Sequence, residues 1–189
     1  MSNARLELEH ESVRRTLALS DLAWLAHTTP DLLHHRVIYE VRTLVKDAAG
    51  LVREADLEVG ASFHLHAQHP RVAPLVVVEH AGIHHPNVAD PALGGLPIAA
   101  VCLGEFPAQS RLGEWVLALW EVLAWQRVGT AHGLNPEAAA SARARGPSPV
   151  DPRSFVRSRR PRGSAAPGVE TEEAGEPARL RFLSEWRCA

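Results

Sequence analysis

Leu75-Val76-Val77-Val78, His85-Pro86-Asn87 and Cys102-Leu103 follow one another through the middle of the chain, and the reading of this stretch decides the fold. The valine run shows no polar alternation, as expected of a buried strand. Before it, His69-Pro70-Arg71-Val72-Ala73-Pro74 carries prolines that remove backbone donors and hold the chain extended. After it, residues 79–101 are rich in Gly, Pro, His and Asn, with Gly94-Gly95, Pro91 and Pro97, which predicts irregular backbone leading straight to Cys102. Beyond the cysteine, Glu114 to Arg127 has helix-forming composition. Its tryptophans at 115, 120 and 125 fall about 140° apart on a helical wheel, so this helix is apolar nearly all round and is either central or covered by partners.

Working outward, residues 35–45 alternate Val37, Tyr39 and Val41 with Arg36, Glu40 and Arg42, and Ala48-Ala49-Gly50 reads as a turn. Leu51 to Leu57 forms a short return strand in this reading, and after Gly60 the residues Ala61 to His66 alternate again. Residues 5–19 place Leu6, Val13 and Leu17 on one side of an amphipathic helix. Asn135-Pro136-Glu137 followed by alanines is an N-cap, a proline at the first helical position and a helix that ends near Gly146. The prediction is an α+β domain over residues 1–145. It comprises a four-stranded antiparallel meander, an N-terminal helix, a central hydrophobic helix and a C-terminal helix. Residues 146–178, with Arg153, Arg157, Arg159, Arg160 and Arg162 followed by Glu170, Glu172, Glu173 and Glu176, read as a disordered linker. Residues 179–189 form a short apolar segment, with Leu180, Phe182, Leu183 and Trp186 able to dock on this domain or on another protein.

A net charge of -2 points globally neither to nucleic acid nor to a membrane surface, and the tail's arginine cluster is offset by its acidic neighbour. The longest apolar stretch, Trp115 to Trp125, is interrupted by Glu121 and is too short to cross a bilayer. The charged N-terminus lacks the apolar core of a signal peptide. Two cysteines, Cys102 and Cys188, make no disulfide framework, so a soluble protein of the reducing cytoplasm is expected. Cys188, next to the chain end, is assigned no role.

Amphipathic helix, meander, Pro-x-x-x-Pro segment, apolar strand, His85-Pro86-Asn87, Cys102-Leu103 and hydrophobic helix, in that order, resemble the E2 ubiquitin-conjugating (UBC-fold) family over residues 1 to about 145. The interval from Asn87 to Cys102 is longer than in the familiar eukaryotic members, and Gly104-Glu105-Phe106-Pro107 stands where many of them carry a Trp-Ser-Pro-like segment, so the likeness is to a divergent, prokaryotic-type member. The resemblance implies an acyltransferase that needs no cofactor. Cys102 would carry a ubiquitin-like modifier as a thioester received from an E1-like activating protein and pass it to an amine. Asn87 would steady the active-site loop or the oxyanion, and His85 with Pro86 would shape the turn. The chemistry suits a thiol, which accepts an acyl group readily and leaves readily when an amine attacks. Bacterial relatives work beside a JAB-type metallopeptidase in conjugation operons, some linked to antiphage defence, and this context too is only implied by the resemblance.

Two other readings stay open. Ile98 to Leu103 is apolar enough for Cys102 to be a buried hydrophobe in a catalytically silent binding module of the same fold. Histidines at 64, 66, 69, 80, 84 and 85 suggest a metal protein, because His64 and His66 on one strand would share a face. A cupin-like motif would want a glutamate after the second histidine, where Ala67-Gln68-His69-Pro70 stands instead.

Overall fold

The computed structural model describes residues 2–91, 99–104, 106–107, 110–129, 133–146 and 148–157. Its elements in chain order are α1 (Asn3–Leu17), β1 (Ala23–Thr28), β2 (His34–Lys46), β3 (Val52–His64), β4 (Leu75–Val78), β5 (Ala99–Ala100), α2 (Leu112–Leu123) and α3 (Pro136–Arg145). The strands pair antiparallel in sequence order, β1 to β5. The α+β class, the antiparallel meander and the three helices are those predicted, but the sheet has five strands and not four, β5 lying in a stretch read as irregular.

The parsing of the strands differs. The two short strands expected at 51–57 and 61–66 are one continuous β3, paired with β2 from His34↔His64 to Lys46↔Val52. Gly60 does not break the strand. A Cβ there would collide with the Glu79 carboxylate, which lies over the strand in a bidentate pair with Arg36 at 2.7 and 2.6 Å. A glycine inside a strand pattern signals close approach as well as a turn, and here it is the approach. Strand β1 has no counterpart in the prediction, because a register shift between Leu25 and His27 interrupts the alternation that would announce it. The turn after β2 is where expected. Asp47 Oδ1 accepts from the Ala49 and Leu51 N–H groups, and Gly50 supplies a φ of 82°.

One face of the sheet presents Val37, Tyr39, Val41, Val59, Ala61, Phe63, Val76 and Val78 to Val116, Leu119, Trp120 and Leu123 of α2, and all of them are buried. Tyr39 takes its phenol into this core and donates to the Val116 carbonyl at 3.1 Å. All-round burial of α2 explains its composition: Trp115 and Trp120 are covered by different neighbours, Phe106 stacking on the first at 3.7 Å and Phe155 tilting against the second at 5.7 Å. Helix α1 docks through Leu6, Val13 and Leu17 as predicted, and also through Glu9, which is fully buried. Its carboxylate accepts from the Leu112 N–H at 2.7 Å at the first turn of α2 and pairs with Arg5 at 2.7 Å and Arg111 at 3.3 Å. Burial pushes the Glu9 carboxyl up, but His69, the Leu112 N–H and Arg5 outweigh it and hold it below the ordinary range.

Where the two helices meet, a Cβ on Gly113 would lie 2.5 Å from the Ser12 carbonyl oxygen and against Thr16 Oγ1. Gly113→Ala is therefore expected to force α1 and α2 apart and to cost about 2 kcal/mol, read as a lowered denaturant midpoint. An unchanged midpoint would show that α1 yields without loss.

Helix α3 is capped by Asn135 Oδ1, accepting from the Ala138 N–H at 3.0 Å, and ends at Gly146 with φ 79°. Packing does not stop at residue 145. Val150, Asp151 and Phe155 are buried, and the Asp151 carboxylate accepts from the Arg42 N–H at 2.9 Å. The first residues assigned to the linker thus belong to the packed body, while residues 158–189, the apolar end segment included, lie outside the described residues. No helix among the described residues is long and apolar enough to cross a membrane.

Candidate active site

The approach to Cys102 is built on the end of the sheet. Past β4 the chain runs back along β2, with the Lys46 N–H donating to the Gly82 carbonyl and the His84 N–H to the Leu44 carbonyl. His85-Pro86-Asn87 then turns it. The Val88 N–H donates to the His85 carbonyl, and the Asn87 N–H donates to His85 Nδ1 at 3.0 Å. The far side of the turn rests on the start of α3, where the Asn135 N–H donates to the Pro86 carbonyl.

Cys102 follows β5 in extended backbone. The Val101 N–H donates to the Val76 carbonyl and Val101 bridges Val88, so the segment before the cysteine lies between β4 and the residues after the turn. Asn87 and Cys102 are 15 positions apart in sequence and adjacent in space. The Cys102 N–H donates to the Asn87 carbonyl at 2.8 Å, and Asn87 Nδ2 donates to the Cys102 carbonyl at 2.8 Å. One residue holds both backbone polar groups of the cysteine. Asn87 Oδ1 meanwhile accepts from the Gly129 N–H at 2.8 Å, which ties in the segment beyond α2. The side chain of Asn87 is buried and serves as a clamp among three segments, while the Cys102 residue is half-buried.

His85 is fully buried. Its Nδ1 acts as an acceptor, which places the proton of the neutral ring on Nε2. Burial pushes it down to about 3, so it is an uncharged turn-former at physiological pH. The Trp125 ring meets it edge-on at 4.8 Å. Trp125 sits just past α2 with φ 59°, in the left-handed region usually given to glycine. The Trp125 N–H donates to the Val122 carbonyl and the Gln126 N–H to the Glu121 carbonyl, which closes the helix in a Schellman turn. A left-handed tryptophan stores of the order of 1 kcal/mol of backbone strain, offset by the burial of its ring against His85.

Sequence reasoning singled out His85, Asn87 and Cys102, which the fold brings to one place. Trp125 and Gly129 were missed, because nothing local distinguishes them from other helix-end residues. His64 and His66 do not form a pair: His66 Nδ1 accepts from the Gln68 N–H, and the cross-strand partner of His64 is His34. Among the described residues no three His, Cys, Asp or Glu side chains gather in a way that could hold a metal ion.

Asn87→Ala would leave the part-buried Cys102 carbonyl and Gly129 N–H without this partner, a loss expected to be about 2 kcal/mol. Asn87→Asp keeps the acceptor for Gly129 but sets a carboxylate oxygen against the Cys102 carbonyl and buries a charge. A denaturant series should place both variants below wild type, with Cys102 thiol labelling faster in each. Equal stability of all three would refute the clamp.

No family model and no curated protein matches the chain. Among solved structures it is similar to one described as "Novel Ubiquitin-Conjugating Enzyme", with 16% identity, a TM-score of 0.49, and coverage of 72% of this chain and 82% of that one.

Proposed function

We propose that this protein is an E2-like carrier, in which Cys102 accepts the C-terminal acyl group of a ubiquitin-like protein from an E1-like enzyme and hands it to an amine. The observation that carries the reading is the double hold of Asn87 on Cys102: a half-buried thiol on a backbone fixed at both its polar groups, next to the His85-Pro86-Asn87 turn. Fixing that backbone lowers the cost of aligning thiol and incoming acyl group, which is where a carrier gains rate. In the loading step the thiolate sulfur attacks the activated carbonyl and expels the previous carrier. In the discharge step an amine nitrogen attacks the thioester carbon, the Cys102 sulfur leaves with the electron pair, and the proton lost by the nitrogen passes through solvent to the departing thiolate. Asn87 acts in this scheme as a positioning residue, since its amide is already bonded to the Cys102 carbonyl. His85, buried and neutral, holds the turn and moves no proton.

The test is incubation with an E1-like protein, its ubiquitin-like substrate and ATP, followed by intact mass. A reductant-sensitive adduct on wild type that is absent from Cys102→Ala supports the carrier. Absence of any adduct, with the E1-like protein shown competent by its own charging, moves the reading to a binding module of the same fold.

A further inference from the structure

The outer face of the sheet carries a feature the proposed carrier chemistry does not use. His27 on β1, His34 on β2 and His64 on β3 come from three neighbouring strands, and His34 stands directly opposite His64 in the register. The His34 and His64 rings stack with centroids 4.5 Å apart and planes 8° from parallel. His27 lies edge-on to His34 at 6.4 Å. His34 Nε2 is shut off from solvent and has no hydrogen-bond partner among the described residues, a need that a bound group would meet. Burial and the neighbouring His64 and His27 hold His34 below its ordinary range, against the opposing influence of Asp31 and Glu79, so the ring is presented neutral, the form that ligates a metal.

We propose that His34 and His64 form a two-imidazole surface site for a divalent transition metal of the Zn2+ or Cu2+ type. Imidazole nitrogen suits these ions and not Mg2+ or Ca2+. Two side chains that face each other across a strand pair are fixed at the Cβ separation a chelate needs, of about 4.5–5.5 Å. In the stacked geometry the two lone-pair directions are parallel and do not converge. The exposed His64 ring must turn about its side-chain bonds both to bring a nitrogen to the ion and to open His34 Nε2 to it. Water completes the coordination, because no third protein ligand among the described residues joins the pair. This site is separate from Cys102 and does not depend on the carrier reading.

Calorimetric titration of the full chain with ZnCl2 at pH 7.5 tests it, in a Cys102→Ala, Cys188→Ala background so that thiols contribute nothing. One saturable site is expected, weakened more than about tenfold by His64→Ala and unchanged by His66→Ala, with no response to MgCl2. His64 is exposed, so its replacement leaves the fold intact, and far-ultraviolet circular dichroism checks this. Absence of saturable Zn2+ binding, or binding that survives His64→Ala, would overturn the proposal.

Discussion

Cys102→Ser is expected to turn a reductant-sensitive adduct into a reductant-resistant one and to stop transfer to amines almost completely. The prediction follows from the leaving group. A thioester is exchanged by an added thiol because sulfur is both readily attacked past and readily expelled, whereas an oxygen ester offers a far worse leaving group to thiol and amine alike. Serine is close to isosteric with cysteine, and the two hydrogen bonds that hold residue 102 run through its backbone, so the site keeps its shape. Loading slows as well, since a hydroxyl presents almost no anion at neutral pH. Intact mass with and without reductant reads the adduct, and an amine-quench time course reads the transfer. An adduct on Cys102→Ser that is still released by reductant would place the acyl group on another thiol and remove Cys102 from the chemistry. Cys188 is the other thiol in the chain.

Acidification from pH 7.5 to 5 is expected to cost the fold about 4 kcal/mol through two buried histidines, with the Glu121 carboxyl, pushed up by burial, acting in the opposite sense. Burial, with His10 and His34 adding to it, pushes His35 down to about 4, and burial pushes His85 down to about 3. Both side chains are fully buried. The unfolded chain takes up a proton on each as pH falls through the ordinary value of about 6.5, and the folded protein does not until pH 4 or below. The unfolded state therefore binds more protons throughout that window, and stability falls as pH falls. At pH 5 each histidine contributes about 2 kcal/mol of loss, from 1.36 kcal/mol for each pH unit below 6.5. Urea unfolding at the two pH values measures the effect as a shift in midpoint at constant slope. His84 is pushed down by burial too and adds in the same direction. A midpoint that does not move between pH 7.5 and 5 would mean that His35 and His85 are protonated in the folded protein.

Most of the architecture was legible along the chain because its signals are local. The alternation of Val37, Tyr39 and Val41, the Asn135-Pro136 cap and the all-round apolar α2 each follow from neighbours a few positions away. The errors came where a residue answers to a distant one. Gly60 reads as a break, yet it is the gap into which the Arg36–Glu79 pair fits. No local signal marks Glu9, which is buried to receive the Leu112 N–H from across the α1–α2 interface. Val150 and Phe155 lie in a stretch whose composition suggests disorder, and they are packed by β2 and α2 surfaces that local composition does not report.

The candidate site divides in the same way. Sequence alone determined which residue types lie in which order: a strand, a His-Pro-Asn turn, a cysteine and a hydrophobic helix. Only the tertiary structure decided that Asn87 closes on both backbone groups of Cys102, that its amide oxygen is used up by Gly129, and that His85 lies sealed beneath Trp125. It likewise set His64 against His34 and not His66. The physical reason is common to all of these. Strand and helix preferences are written in periods of two and 3.6 residues and can be read from one end of the chain to the other, whereas register, burial and hydrogen-bond partners depend on which distant segments share the same space.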